Sequence, residues 1–421
     1  MPSVCLYFQI HQPYRIRKYT YFDIGNNNNY FDDQKNKDIL NKVSEKCYLP
    51  ANEILTHLIK KSEGKFKICL SFSGIVLEQF ETYRPDVLKS FQKLVSTGAV
   101  ELLTETYAHS LSCIFSESEF IRQVEKHKQY IKRLFNKTPK IFRNTELIYQ
   151  NKIGKFAEEH GFDGILCEGA ERFLGNKNPN HIYHPPETNH IKLLLKNYRL
   201  SDDIAFRFSD KDSGLFPLTA EKFSGWLHKM NGNAEVINLF MDYETFGEHQ
   251  WQETGIFEFL MQLPDLVLEH PEFDFKTPSE CISEYPSKGI YDVPEYMSWA
   301  DTERDLSAWM SNELQVEALR KIYSVEEKIS KTKNPELKKQ FEYFQTSDHF
   351  YYMCTKFWND GDVHKYFSPY DSPYEAYIHF MNAFSDFNAR LNEKISTTAY
   401  SDKSNKKEIS YPSAGSSYAT N

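Results

Sequence analysis

Seven short apolar runs recur through the first 250 residues, and most are separated by stretches long enough for a helix. They are Val4–Ile10, Phe66–Phe72, Val100–Thr104, Lys140–Arg143, Gly164–Cys167, Ile191–Lys196 and Val236–Met241. Most do not alternate apolar with polar residues, which is the pattern of parallel strands buried on both faces. Helical patterns follow several of them: Ala51–Lys61, Asp86–Ser96, Glu117–Leu134 and Lys152–His160. Ser116 and Glu119 give the third a capping-box signature, and Gly161 closes the fourth. Strands and helices alternating in this way specify a parallel α/β sheet, and seven repeats favour closure into a (β/α)7 barrel. The stretch from Pro13 to Pro50 is too long for an ordinary loop. Its Asn26–Asn29 run and its tyrosines suggest an excursion over the barrel mouth.

Beyond about residue 275 the pattern changes. Asp301–Thr332, Pro335–Tyr352 and Pro373–Leu391 read as long helices, with Leu306, Trp309, Met310, Leu314, Val316 and Leu319 at helical spacing. The expected organisation is a barrel over 1–275, a helical domain over 276–395 packed against it, and a disordered tail over 396–421 rich in Ser, Thr, Lys and Asn. A mean hydropathy of −0.61 and the lack of any 18-residue apolar run argue against a membrane span. The opening segment MPSVCLYFQIHQP lacks the basic and apolar regions of a secretory signal. The seven cysteines are scattered without a CxxC pair and read as reduced thiols, so the expected compartment is the cytoplasm. A net charge of −9 with dispersed basic residues predicts no nucleic-acid partner. The 15% aromatic content serves core packing first, with some rings free to stack on flat apolar faces such as those of sugars.

Nearly every run leads into a residue capable of chemistry. The first gives His11 and Gln12, the second leads to Glu78 and Gln79, and the third to Glu105 and His109. The fourth gives Glu146, the fifth Glu168, the sixth Arg199 and Asp202, and the seventh Asp242 and Glu244. Singly, each has a structural explanation, such as a satisfied core histidine or an ion pair at Glu168 or Arg199. A carboxylate at the end of a buried strand costs desolvation energy, however, and a rim of such residues suits general acid/base or nucleophilic work. Asp242 and Glu244 lie two residues apart, so in extended chain both face one side and raise each other's pKa, keeping one protonated near neutrality. Gly247 then lets the chain turn sharply. The structural alternative is a strand end that caps the following helix.

HQP at 11–13, GIVLEQF at 74–80, RNTELIY at 143–149, DYETFGE at 242–248 and the Trp299-to-Asn312 segment resemble the successive signature regions of family 57 glycoside hydrolases. The likeness extends from Met1 to about residue 390. It is strongest to the α-amylase branch, including QTSDHFYYM at 345–353. The resemblance implies a seven-stranded barrel followed by a helical bundle, and a retaining mechanism on α-glucans such as starch, glycogen or maltodextrin. Carried over by position, Glu146 is the nucleophile and Asp242 the general acid/base. His11, Glu78, Glu244 and Asp348 then line the sugar site, with Trp299 and Tyr351 as stacking partners. Gln12 and His109 join this substrate-binding set from their strand ends. One departure is visible: Asn144 and Thr145 precede the nucleophile position, where many members carry a tryptophan-bearing segment.

The chemistry expected is double displacement at α-1,4-glucosidic bonds, which needs the two carboxyls about 5–5.5 Å apart and no metal or organic cofactor. The nearest rival is a 4-α-glucanotransferase using the same residues. A metal-dependent deacetylase or mannosidase would need clustered His and Asp ligands, to which His11 and His109 could contribute, but no HxxxH pair follows. A non-catalytic glucan-binding protein would have no need of both Glu146 and Asp242.

Overall fold

In the computed structural model, which describes residues 2–358 and 363–407, all seven apolar runs contain strands. In chain order the strands are β1 (Ser3–Ile10), β2 (Ile68–Phe72), β3 (Val100–Leu102), β4 (Ile141–Arg143), β5 (Gly164–Glu168), β6 (Ile182–Tyr183), β7 (Lys192–Lys196), β8 (Val236–Asp242) and β9 (Asp274–Phe275). Only the two-residue β6 and β9 escape a reading from sequence, because two residues show no period. β1, β2 and β5 are buried at every position, their few polar residues (Ser3, Gln9, Ser71 and Glu168) included, as parallel strands covered on both faces are.

The ladders form two sheets, one ordered β3-β2-β1-β8 with β9 also on β1, the other β4-β5-β7-β6. Every pairing is parallel except β6 with β7. The closed (β/α)7 barrel expected from sequence is therefore corrected: the sheet does not close as one ladder. At one seam the only bridge among the described residues is Thr104 to Phe142, where the Thr104 N–H donates to the Ile141 carbonyl and the Arg143 N–H to the Thr104 carbonyl. At the other seam the Asn197 N–H donates to the Asn238 carbonyl, and the Asn238 side-chain amide donates to the Leu195 carbonyl. β3 and β4 are three residues each, and at the second seam a side chain takes a main-chain acceptor. A continuous ladder has no room to propagate.

The expected barrel helices form within a few residues of their predicted limits, at Leu49–Lys61, Pro85–Val95, Glu117–Phe135 and Asn151–Glu159. The long C-terminal helices are more broken than their periodicity suggests. Asp301–Thr332 becomes Ser307–Met310, Glu313–Tyr323 and Glu326–Lys331, because Asn312 caps a new helix in a capping box with Gln315, and Asp301 and Arg304 are left-handed. Pro335–Tyr352 divides into Pro335–Phe344 and Ser347–Tyr351, between which Thr346 bridges to Ser110. The last helix runs unbroken over Pro373–Lys407. The tail expected from 396 is thus helical to 407, since a docked helix adds further turns at little cost. The remainder, 408–421, lies outside the described residues.

The predicted excursion does not lie free over the mouth. Tyr14, Tyr19, Tyr30 and Phe31 share one apolar cluster with Phe344, Phe380, Phe384 and Phe387. The Tyr30 hydroxyl donates to the Asp386 carboxylate at 2.6 Å, as does the Gly25 N–H, and Arg390 pairs with the same carboxylate at 2.5 Å. The seven cysteines are all buried and free. Among the described residues no helix is long and apolar enough to cross a membrane.

Asp386→Ala leaves a buried hydroxyl and a backbone N–H without their acceptor, so the expected loss is about 2–4 kcal/mol in the denaturant-unfolding free energy. Tyr30→Phe removes one bond and leaves the carboxylate on its other two partners, for about 1 kcal/mol. Equal losses in the two variants would show that Asp386 is not the shared anchor.

Candidate active site

The C-terminal ends of β1 and β8, the turn after β4, the loop around Trp299 and the Ser347–Tyr351 helix enclose a cavity of about 420 Å³, a size typical of small-molecule sites. Of the expected site residues, His11, Gln12, His109, Glu146, Asp242 and Glu244 line it from the strand-rich half. Trp299, Asp348 and Tyr351 line it from the helical half. Glu78 does not. It sits on the Gly74–Tyr83 helix, takes hydrogen bonds from the Tyr107 and Tyr343 hydroxyls, and pairs with Lys339 at 3.3 Å.

Glu146 follows β4 in a tight turn in which it and Leu147 adopt φ of 56° and 51°. Non-glycine residues avoid this left-handed region, so the surroundings must hold the turn. Asn144 does so by donating to the Ile148 carbonyl at 2.9 Å, and the Thr145 and Thr106 hydroxyls bond at 2.6 Å. The turn presents both carboxylate oxygens to donors. Oε1 lies 2.9 Å from His109 Nε2, and Oε2 accepts from the Trp299 indole N–H at 2.7 Å. The Trp299 main-chain N–H also donates to the Glu146 carbonyl.

His109 is buried, and its Nδ1 lies 2.8 Å from Glu105 Oε2. Burial opposes charge on the ring, but the bonds to Glu105 and Glu146 outweigh it and raise its pKa to about 9. Burial likewise pushes Glu146 up, yet His109, Arg143 and Trp299 hold it below the ordinary carboxylate value. Asp242, the last residue of β8, is pushed up to about 6 by burial and by the charge of Glu146, with Arg143, Lys196 and His109 offsetting part of the rise. Glu244 rises further, to about 8, through burial and the neighbouring Asp242. It also accepts a hydrogen bond from the Tyr48 hydroxyl, at the end of the excursion.

The predicted alternation of Asp242 and Glu244 along extended chain is corrected, because Tyr243–Thr245 forms a 3-10 turn and the strand stops at Asp242. His11 Nε2 donates to Asp348 Oδ2 at 2.8 Å, and its Nδ1 accepts from the Ser73 hydroxyl at 2.7 Å. The ring stacks on His109 at 3.9 Å, so burial and the adjacent imidazolium keep it neutral. Burial would raise Asp348, but His11 and His109 hold it well below the usual carboxylate range. Tyr351 stacks on His364 with centroids 4.1 Å apart, and Gln12 accepts from Arg15 at 3.0 Å.

Several charged residues went unread in the sequence. Arg143 is fully buried at the end of β4, 3.7 Å from Glu105 and 4.9 Å from the Trp299 ring centroid, and none of its guanidinium nitrogens has a hydrogen-bond partner among the described residues. Lys196 ends β7 and reaches Asp202 at 3.1 Å, to which Arg304 also reaches at 3.2 Å. The signal that found the carboxylates, a polar residue closing a buried run, applies equally to Arg143 and Lys196. Glu168 lies 3.8 Å from both Lys196 and Arg304, and Arg199 pairs with Glu171, so each meets its structural explanation. Among the described residues no group of three or more His, Cys, Asp or Glu could hold a metal ion, and every ring nitrogen of His11 and His109 already has a protein partner.

The family model described as Glycosyl hydrolase family 57 matches residues 5–294. A Methanocaldococcus jannaschii protein named "Putative alpha-amylase" is 42% identical over 417 residues, which cover 95% of this chain and 87% of that protein. The alpha-amylase of Pyrococcus furiosus is 19% identical over 299 residues, 68% of this chain, and the chain spans only 44% of its length. The crystal structure of 4-alpha-glucanotransferase from Thermococcus litoralis shares the fold with a TM-score of 0.61 at 18% identity, over 83% of this chain and 55% of that one.

Gly247 supplies a test of how the acidic end of β8 is held. Its φ is +115°, and a Cβ there would fall 2.0 Å from the Lys46 carbonyl oxygen. Gly247→Ala must move the segment that carries Tyr48, with an expected loss of more than about 3 kcal/mol in unfolding free energy. A variant as stable as the parent would disprove this close packing.

Proposed function

The chain belongs to glycosyl hydrolase family 57, and we propose that it is a retaining, α-amylase-type hydrolase of α-1,4-glucosidic bonds in α-glucans. The observation that carries this reading is the unlike charge of two carboxyls in one cavity. Glu146 is held ionised by His109 and Trp299, while Asp242 is raised to about 6. Retaining hydrolysis requires that pair of states. Glu146 attacks the anomeric carbon as Asp242 gives its proton to the departing glycosidic oxygen, leaving a glycosyl-enzyme ester. Asp242, now ionised, takes a proton from water, which attacks the same carbon and frees Glu146. The two inversions keep the α configuration.

His11, Gln12, Glu244, Trp299, Asp348 and Tyr351 are assigned to substrate binding, an assignment supported by their places in the cavity lining. Glu78 is given an outer role, bracing the Gly74–Tyr83 helix against Tyr343. Residues 1–275 are read as a barrel-type catalytic part and 276–395 as a helical part that completes the site, since Trp299 and Asp348 share the cavity of Glu146. Seven buried free thiols support a reducing compartment, the cytoplasm.

A relative of the same fold named 4-alpha-glucanotransferase favours one second reading, in which a sugar acceptor replaces water at the second step. Products of maltoheptaose resolved over time decide between the two. Only shorter products are expected, and products both longer and shorter would establish the transferase. Glu146→Gln is expected to abolish turnover while folding normally. Azide should restore cleavage of an activated α-glucoside in Glu146→Ala, releasing the β-glycosyl azide; parental activity in that variant without azide rules out the nucleophile.

The pH dependence has a definite sign. Activity needs Glu146 ionised, so it rises as pH passes a value lowered from that of an ordinary glutamate. It needs Asp242 protonated, so it falls as pH rises through about 6, each limb reporting the coupled cluster. Asp242→Asn should flatten the falling limb and slow natural glucans about 10²–10⁴-fold, with little effect on substrates whose leaving group needs no proton. Equal loss on both substrate types would pass the acid role to Glu244.

A further inference from the structure

We propose that Glu105 and His109 form a positioning dyad for Glu146, in which Glu105 fixes His109 as an imidazolium and the imidazolium fixes one oxygen of the Glu146 carboxylate. The inference rests on Glu146 being the nucleophile, and it takes His109 out of the substrate-binding set.

The geometry is a chain of buried polar groups running inward from the cavity. Glu146 Oε1 meets His109 Nε2 at 2.9 Å, His109 Nδ1 meets Glu105 Oε2 at 2.8 Å, and Glu105 Oε1 accepts from the Gln9 amide at 2.9 Å. Gln9 is fixed in turn by the Tyr7 and Ser71 hydroxyls at 2.7 and 2.8 Å. With a carboxylate on each nitrogen, the ring must donate from both, which only the imidazolium can do. Of the other groups facing it, His11, the residue after β1, is stacked on the ring and donates to Asp348. Arg143 from β4 stands behind Glu105 and opposes the charge, so the two carboxylates in direct contact with the ring decide its state. The backbone supports the same reading. His109 has a φ of 52° and Glu146 of 56°, so both ends of this hydrogen bond come from strained residues. Glu105 is fully buried and is not among the residues that line the cavity of Glu146, so its carboxylate reaches the site only through His109.

Two consequences follow for the reaction. The bond from a charged donor to Oε1 is stronger than that from the neutral indole to Oε2, so Oε2 is the oxygen released to attack and Oε1 becomes the ester carbonyl. A carboxylate stabilised by the imidazolium is also a better leaving group, so the dyad speeds release of the sugar in the second step at little cost to the first.

Glu105→Gln in the full chain is the test, with an activated α-glucoside as substrate. The covalent intermediate should accumulate, giving a burst of leaving group. kcat should fall about 10–100-fold, the loss expected for one charged hydrogen bond, with KM falling in parallel and kcat/KM nearly unchanged. The acidic limb should move up by about one pH unit, and His109→Gln should do the same without adding to it. The imidazole ¹H–¹⁵N spectrum of the parent chain, with His109 identified by its loss in His109→Gln, gives a readout that needs neither activity nor a folded Glu105 variant. Both His109 nitrogens should stay protonated to about pH 8. Titration of His109 near 6.5, or an equal fall of kcat and kcat/KM with an unmoved acidic limb, overturns the dyad. Absence of cleavage on any α-glucan would instead defeat the functional reading and leave the spectrum to decide the dyad.

Discussion

Glu146, Asp242 and Glu244 line one cavity, and a carboxylate charge removed from water costs several kcal/mol unless it is paired. The three meet that cost in three ways. Glu146 stays charged because His109 and Trp299 donate to both its oxygens. Asp242 has charged residues nearby in Arg143 and Lys196, but the negative charge of Glu146 works against them, and its pKa settles at about 6. Glu244 has a neutral phenol from Tyr48 and the added repulsion of Asp242, which leaves it protonated to about 8. A single cavity thus holds an ionised carboxylate, an acid poised near neutrality and a protonated neighbour. The order depends on one asymmetry: only Glu146 receives an imidazolium.

That asymmetry needs both halves of the chain. The indole on Glu146 belongs to a loop after the strands, and the loop is tied on both sides. Arg304 holds it to Asp202 and Arg172 to the Tyr296 carbonyl, while Asp301 holds it to Lys356 and His364 in the helical region. Asp348 closes the opposite wall through His11. Arg304 and Lys196 share the carboxylate of Asp202, so the clamp that fixes the loop also sets a cation near Asp242. The parts that shape the cavity are the parts that set its electrostatics.

Much of this was legible in the sequence, for physical reasons that also mark where it stops. Parallel strands buried on both faces are mostly apolar, so Val4–Ile10 and Val236–Met241 declare themselves, and a charged residue closing such a run stands out. That rule exposed Glu146 and Asp242, and it would have exposed Arg143 and Lys196 had charge of either sign been weighed. It could not place Glu78, because a helical residue one turn past a strand can face the cavity or turn away, and here it turns to Tyr343. It could not see the sheet stop short of closure, which depends on Asn197 and Asn238 at one seam and Thr104 at the other. It read continuous helices through Asp301 and Thr346, where tertiary ties break the helical period.

The backbone adds a signal that no sequence period carries. Eight non-glycine residues among those described have positive φ: Glu63, His109, Asn136, Glu146, Leu147, Glu187, Asp301 and Arg304. Asn136 is an ordinary helix cap, but His109, Glu146, Asp301 and Arg304 all line the cavity, and Leu147 adjoins Glu146. Left-handed backbone costs roughly 1–2 kcal/mol for a residue with a Cβ, and glycine would remove that cost. Glycine would also remove the imidazole, the carboxylates and the guanidinium that the cavity requires. Strain gathered where the side chain cannot be given up is what a site selected for its chemistry over its local stability should show. The Glu146 turn is the sharpest case. Asn144 and Thr145 brace it from one side and Trp299, from a distant part of the chain, from the other.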